Sequence, residues 1–172
     1  MLRRGGRETD DQFRSPLNII GQNPCRMNRL LKIARSATPG AGVKFREAAY
    51  GTEGIRSFLR DVLALANAAV SGPRYILTGV SYDAKGKKQT TTVDRDDFSG
   101  RPAYQSLVAE YIEPPLKVRH QPVTVGAKRV GVHQLAGCKD RPYMMRVDFS
   151  ETLRRGDAYM RVDTSNVKLG RR

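Results

Sequence analysis

The stretch that most restricts the fold runs from Gly54 to Val80, GIRSFLRDVLALANAAVSGPRYILTGV. Ile55, Phe58, Leu59, Val62, Leu63 and Ala66 recur at helical spacing and make one apolar face. Thr52 reads as the N-cap, with Glu53 near the positive end of the helix dipole. Gly72-Pro73 stops the helix. RYILTGV follows, an apolar run with too little alternation for a strand with one wet face, so it is expected at the centre of a sheet. Asn67, at the end of the apolar helix, must find partners for a buried amide and is expected to tie the helix end to the turn after it. The strand then opens into a turn, DAKGK, that carries lysines and no obvious catalytic group.

The other segments supply a second layer. Residues 25–35 place Met27, Leu30, Leu31 and Ile33 on a short amphipathic helix, ended by SATPGAG. Val43–Phe45 reads as a strand and KQTTTV as the return strand after DAKGK. Tyr104, Leu107, Val108, Tyr111 and Ile112 give the buried face of another helix, which Pro114-Pro115 ends. LKVRHQPVTVGAKRVGVHQL reads as a hairpin around Gly126-Ala127, with Pro122 marking an edge or a bulge. RPYMMRVDF and DAYMRVD are two further strand candidates, joined by SETLRRG. This order predicts an α/β (α+β) two-layer sandwich, a mixed sheet with two main helices on one face and β-hairpin arms. Phe58, Leu59, Val62, Tyr75, Ile76, Leu77, Leu107 and Val108 are expected to be buried together. Residues 1–24 read as a flexible basic arm, 25–168 as the domain and 169–172 as a basic tail.

Charge points to a class of partner. Lysine and arginine number 31 against 17 acids, a net charge of +14. Such an excess draws the chain to polyanions through counterion release, and nucleic acid is the expected partner. The cations concentrate on connections: Lys85, Lys87 and Lys88 on one turn, Lys128 and Arg129 on the hairpin turn, Arg154 and Arg155 on a third, with Arg119 and Arg161 on neighbouring strands. Exposed, mobile cations on protruding turns suit backbone phosphates. Few aromatics are interleaved with them, which argues against stacking on single-strand bases. No apolar run reaches the roughly 18 residues of a membrane span. The N-terminal residues are not a secretory signal, and a cytoplasmic setting is expected.

Chemistry of other kinds finds little support. Cys25 and Cys138 stand far apart, and His120 and His133 belong to no zinc-binding spacing, so two free thiols and no metal are expected. Glu47, Glu53 and Asp83, with Asp94, Asp96 and Asp97, have the oxygen donors Mg²⁺ requires. Capping and solvation account for most of these acids, leaving Glu47, Glu53 and Asp83 as the weak catalytic candidates. Mg²⁺ enters only if they act together, and no other cofactor is expected. There is no GxxxxGK[ST] for a nucleotide phosphate and no GxSxG.

A series of short motifs resembles a known family. VKFRE at 43–47, LALANAAVSGPRYILTGV at 63–80, YDAKGK at 82–87, YIEPPLKV at 111–118, RPYMM at 141–145 and YMRV at 159–162 follow the order of the Alba-like domain of bacterial regulators and Schlafen proteins. The resemblance implies a domain in which a β-hairpin arm and a basic surface contact DNA, as part of a transcriptional regulator or defence protein. Four positions depart from the family's pattern. Lys44 stands where a carboxylate precedes the phenylalanine, Pro73 replaces the second of two glycines, and Ser81 and Tyr82 replace paired acids, leaving Asp83. Schlafen-type ribonucleases carry a carboxylate cluster in this region, and most of it is missing here. The resulting expectation is a non-enzymatic nucleic-acid-binding domain, with DNA favoured over RNA. The alternatives are a divalent-metal-dependent nuclease using the residual carboxylates, and an interaction module forming a homodimer through its sheet edge.

Overall fold

A computed structural model describes residues 24–93 and 103–170. In chain order the elements are α1 (Pro24–Ser36), β1 (Val43–Arg46), α2 (Ile55–Ala66), β2 (Arg74–Thr78), β3 (Val80–Tyr82), β4 (Lys88–Thr90), α3 (Tyr104–Tyr111), β5 (Ile112–Glu113), β6 (Lys117–Val125), β7 (Lys128–Ala136), β8 (Met144–Met145), β9 (Ala158–Val162) and β10 (Ser165–Leu169). The fold is mixed α+β. A four-stranded sheet has the order β1-β2-β7-β6, and three two-stranded ribbons, β3–β4, β5–β8 and β9–β10, surround it. β1 and β2 are parallel, so the chain must cross over between them, and α2 is that crossover. The other pairings in the sheet are antiparallel. β2 is central, and all five of its residues are buried. Pro122 lies on the edge strand β6, paired with Gly131. No helix among the described residues is long and apolar enough to cross a membrane.

Both faces of the sheet are covered, which corrects the single expected core. Ile76, Leu135 and Val118 point into a cluster with Phe58, Leu59 and Val62 of α2 and Leu107 and Val108 of α3. Tyr75, Leu77, Val123, Val130 and Val132 point the other way and pack under Leu30 and Ala34 of α1. Successive strand residues face opposite sides, so Tyr75 and Leu77 cannot share the cluster of Ile76. The two main helices do lie on one face, as expected, while α1 adds a layer on the other.

α2 departs from the expected one-sided helix. From Asp61 to Ala66 every residue is buried, because the β9–β10 ribbon packs on the side away from the sheet. Thr52 is not its N-cap. A 3₁₀ turn, Thr52–Gly54, precedes the helix, and Gly54 is the capping residue without a side-chain bond. At the other end Asn67 reaches further than the following turn. Its Nδ2 donates to Tyr143 O at 2.8 Å and Tyr159 O at 2.9 Å, and its Oδ1 accepts from Tyr143 N at 2.7 Å. One amide thus joins α2 to two segments that follow it by 76 and 92 residues.

RPYMMRVDF contributes only the two residues of β8, and β10 was not anticipated from the sequence. The bend from β2 into β3 requires Gly79. Its φ is +81°, and a Cβ there would meet Thr91 O and Val93 Cγ2 at 2.7 Å. Of the expected arm at 1–24, residues 1–23 lie outside the described residues, as do the acids Asp94, Asp96 and Asp97, and residue 24 opens α1.

Candidate nucleic-acid interface

The β3–β4 turn is built by one carboxylate. Asp83 Oδ1 accepts from Lys85 N at 2.9 Å and Lys87 N at 2.8 Å, and Oδ2 accepts from Gln89 Nε2 at 2.8 Å. The bond from Gln89, then that from the Lys87 amide, holds the Asp83 carboxyl below its ordinary range. Asp83 therefore shapes the turn and has little capacity left to ligate a metal. Lys85 and Lys87 are exposed at the tip, their amides fixed and their ammonium groups in water.

Lys88 is placed differently from Lys85 and Lys87. Its Nζ donates to Ala34 O at 2.8 Å and Ala37 O at 3.0 Å, and sits 4.7 Å from the Phe45 ring centroid. The last carbonyls of a helix lack internal partners, and a cation placed on them also complements the dipole. Desolvation lowers the Lys88 pKa. Arg161 is likewise engaged within the fold. It is 4% exposed, and its Nε donates to Gly40 O at 2.8 Å while Nη1 donates to Asn166 Oδ1 at 2.9 Å.

The remaining candidates stay on the surface. Lys128 and Arg129 are exposed at the β6–β7 turn. Lys128 Nζ donates to Thr90 O, and Val93 N donates to Arg129 O at 2.9 Å, so the end of β4 is docked against the start of β7. Arg119 is exposed on β6, opposite Gln134. Arg154 and Arg155 are exposed on a turn that two acids hold: Arg154 N donates to Asp157 Oδ2 at 3.0 Å and Arg155 N to Asp148 Oδ1 at 2.7 Å. Burial works to raise the Asp157 carboxyl, but the Lys168 ammonium and the Arg154 amide outweigh it and hold it below its ordinary value.

A further basic strip was missed. Arg29, Lys32 and Arg35 are exposed on α1, three residues apart, on the side away from its buried Leu30 and Ala34. Their spacing in a helix without a single acid was the available signal.

The acids do not converge. Glu47 and Glu53 are exposed on separate segments. Among the described residues no three His, Cys, Asp or Glu side chains come close enough to hold a metal ion. Among the described residues the one deeply buried acid, Asp61, was also missed. Lys44 Nζ and Asn166 Nδ2 each donate to its Oδ1 at 2.6 Å, and Tyr50 Oη donates to its Oδ2 at 2.7 Å. Arg46 Nη1 lies 3.8 Å from the same Oδ2. Lys44 and Arg46 alternate on a four-residue strand, which puts both on the face turned toward α2; that alternation was the sequence signal.

The Schlafen AlbA_2 profile matches residues 43–170 of the 172. The chain belongs to this family. Lys44, where the resemblance leads one to expect a carboxylate, is the same residue that neutralises Asp61. Among solved structures, the DIP2311 protein from Corynebacterium diphtheriae is 16% identical, with a TM-score of 0.50 over 84% of this chain and 30% of that one. The N-terminal domain of an ATP-dependent DNA helicase RecG-related protein from Nitrosomonas europaea is 19% identical, with a TM-score of 0.48 over 75% of this chain and 87% of that one. Such likeness concerns the fold alone. No curated protein matches the sequence significantly.

Proposed function

We propose that this Schlafen AlbA_2 domain binds nucleic acid through backbone phosphates, with duplex DNA favoured over RNA. The observation that carries this reading is the β3–β4 turn, where Asp83 fixes the backbone while Lys85 and Lys87 keep their charges in water. The net charge of +14 supplies the long-range attraction, and Lys128, Arg129, Arg119, Arg154 and Arg155 supply further exposed cations. Tyr82 is the one exposed aromatic among the described residues, and it is stacked on Phe45 at 5.7 Å between ring centroids. The shortage of exposed aromatics among the described residues suits a duplex better than single-strand bases. Cleavage is no part of this reading, since Glu47, Glu53 and Asp83 form no joint metal site. In a cell, such a module would serve a transcriptional regulator or a defence protein in the cytoplasm.

The test is the salt dependence of duplex binding by Lys85→Ala/Lys87→Ala. Lys88 is left in place because its ammonium holds α1. The variant should keep its melting temperature, lose affinity, and show a slope of log K against log salt shallower by roughly 0.9 per lost phosphate contact. An unchanged slope and affinity would refute the assignment of these two lysines.

A further inference from the structure

The edge strand β1, helix α2 and strand β10 enclose a polar cavity of about 280 Å³, lined by Lys44, Arg46, Ser57, Arg60, Asp61 and Asn166. Three cations meet one carboxylate there. Asp61 already accepts from three donors: Lys44 and Asn166 on Oδ1 and Tyr50 on Oδ2. Arg161 donates to Asn166 Oδ1, which turns the Asn166 amide so that its Nδ2 faces Asp61. One carboxylate faces Lys44, Arg46 and Arg60, so an excess of positive charge remains. The Nε–H groups of Arg46 and Arg60 are both buried without a hydrogen-bond partner. Orphaned buried donors of this kind ask for an acceptor. Each guanidinium is meanwhile braced by a ring: Arg46 lies 4.1 Å from the Tyr50 centroid and Arg60 4.9 Å from that of Tyr159.

We propose that this cavity is a binding site for a phosphate monoester. Two guanidinium groups and an ammonium, on a strand and a helix, present donors from separate directions. A phosphate dianion offers acceptor oxygens to all of them, whereas a carboxylate has acceptors along one edge. Its charge offsets the cationic excess, and its oxygens can accept from the guanidinium and ammonium groups that line the cavity. The site uses none of the exposed turn cations and does not rest on the interface reading. The phosphate can belong to a free mononucleotide or to the end of a nucleic-acid strand.

The experiment is a ¹H–¹⁵N titration of the full chain with inorganic phosphate, against chloride at matched ionic strength. Phosphate should shift the Asn166 side-chain amide and the backbone amides of Ser57–Asp61. Arg60→Gln should weaken the titration about tenfold, the size of effect expected for a charge-assisted bond. Ser57→Asp, which adds negative charge beside the cavity, should abolish it and serves if Arg60→Gln does not fold. Lys85→Ala/Lys87→Ala should leave the titration unchanged, so a failed interface and a failed pocket are told apart. Tighter binding of a 5′-phosphorylated oligonucleotide than of its 5′-hydroxyl twin, lost in Arg60→Gln, would assign the strand end. Competition by adenosine monophosphate without that preference would assign the free mononucleotide. Absence of phosphate-specific shifts at Asn166 and Ser57–Asp61, or the same affinity in Arg60→Gln and Ser57→Asp, overturns the proposal.

Discussion

Replacing Asp61 by Asn keeps the shape of the side chain and removes its charge. Asp61 is 4% exposed, and it is the common acceptor for Lys44, Asn166 and Tyr50, with Arg46 close by. An amide in the same place has one acceptor oxygen. If that oxygen keeps Tyr50, the NH₂ faces Lys44 and Asn166, which are donors themselves. Breaking a buried ion pair from one side costs about 3–5 kcal/mol. Lys44 and Arg46 have side chains 21% and 28% exposed, so water relieves part of their loss, and about 2–3 kcal/mol is the expected cost. For a chain of this size that corresponds to a fall in melting temperature of roughly 5–10 °C. Urea unfolding of Asp61→Asn, Lys44→Met and the double variant measures it. The double variant should lose clearly less than the two single losses combined, because each change already removes the same pair. A drop of less than about 2 °C in Asp61→Asn, or strict additivity, would refute the account of this network.

Other expectations follow from the same structure. His133 is fully buried among Tyr50, Phe58, Tyr104 and His120, neither ring nitrogen has a partner, and burial, then His120 and Arg46, hold its pKa well below the ordinary value. Below about pH 6.5 the unfolded chain therefore takes up a proton that the folded chain refuses, and stability should fall by up to about 1.4 kcal/mol per pH unit. Urea unfolding between pH 7.5 and 5.5 should show this slope and lose it in His133→Leu; equal slopes would count against it. Asn67→Leu strands Tyr143 N, Tyr143 O and Tyr159 O together, and should cost about 3 kcal/mol or more in the same assay. Lys88→Met should lower the melting temperature while Lys85→Ala does not, since only the first cation stops a helix.

Much of the fold was legible because apolar spacing carries it. The α2 face, the central placement of RYILTGV, the hairpin around Gly126-Ala127 and the basic turn after Tyr82 all followed from period and punctuation. What escaped was long-range. Nothing near Tyr75 or Leu77 in the sequence says that α1 returns to cover the second face, and nothing near Asp61 says that β10 closes over it. A helical aspartate beside an arginine reads as a solvated pair until the element that buries it is known.

The cations show the same limit in sharper form, and it bears on function. Lys87 and Lys88 are adjacent, yet one stands in water and the other is folded onto the end of α1. Lys88 opens β4, opposite Tyr82, where the side chain is carried toward Phe45 and the α1 carbonyls. Arg119 and Arg161 both lie on strands, and the first is exposed while the second is buried against Gly40 and Asn166. Composition counts all four alike. A cation whose donors are spent on backbone carbonyls releases few counterions when a polyanion arrives, so under the proposed function Lys87 and Arg119 are the two of these four expected to add to a salt-dependent affinity. The net charge of +14 thus overstates the binding surface, and part of it is structural cement. Around Asp61 the balance runs the other way: the cations outnumber the acceptors provided by the fold, and the surplus is what gives that cavity a ligand preference.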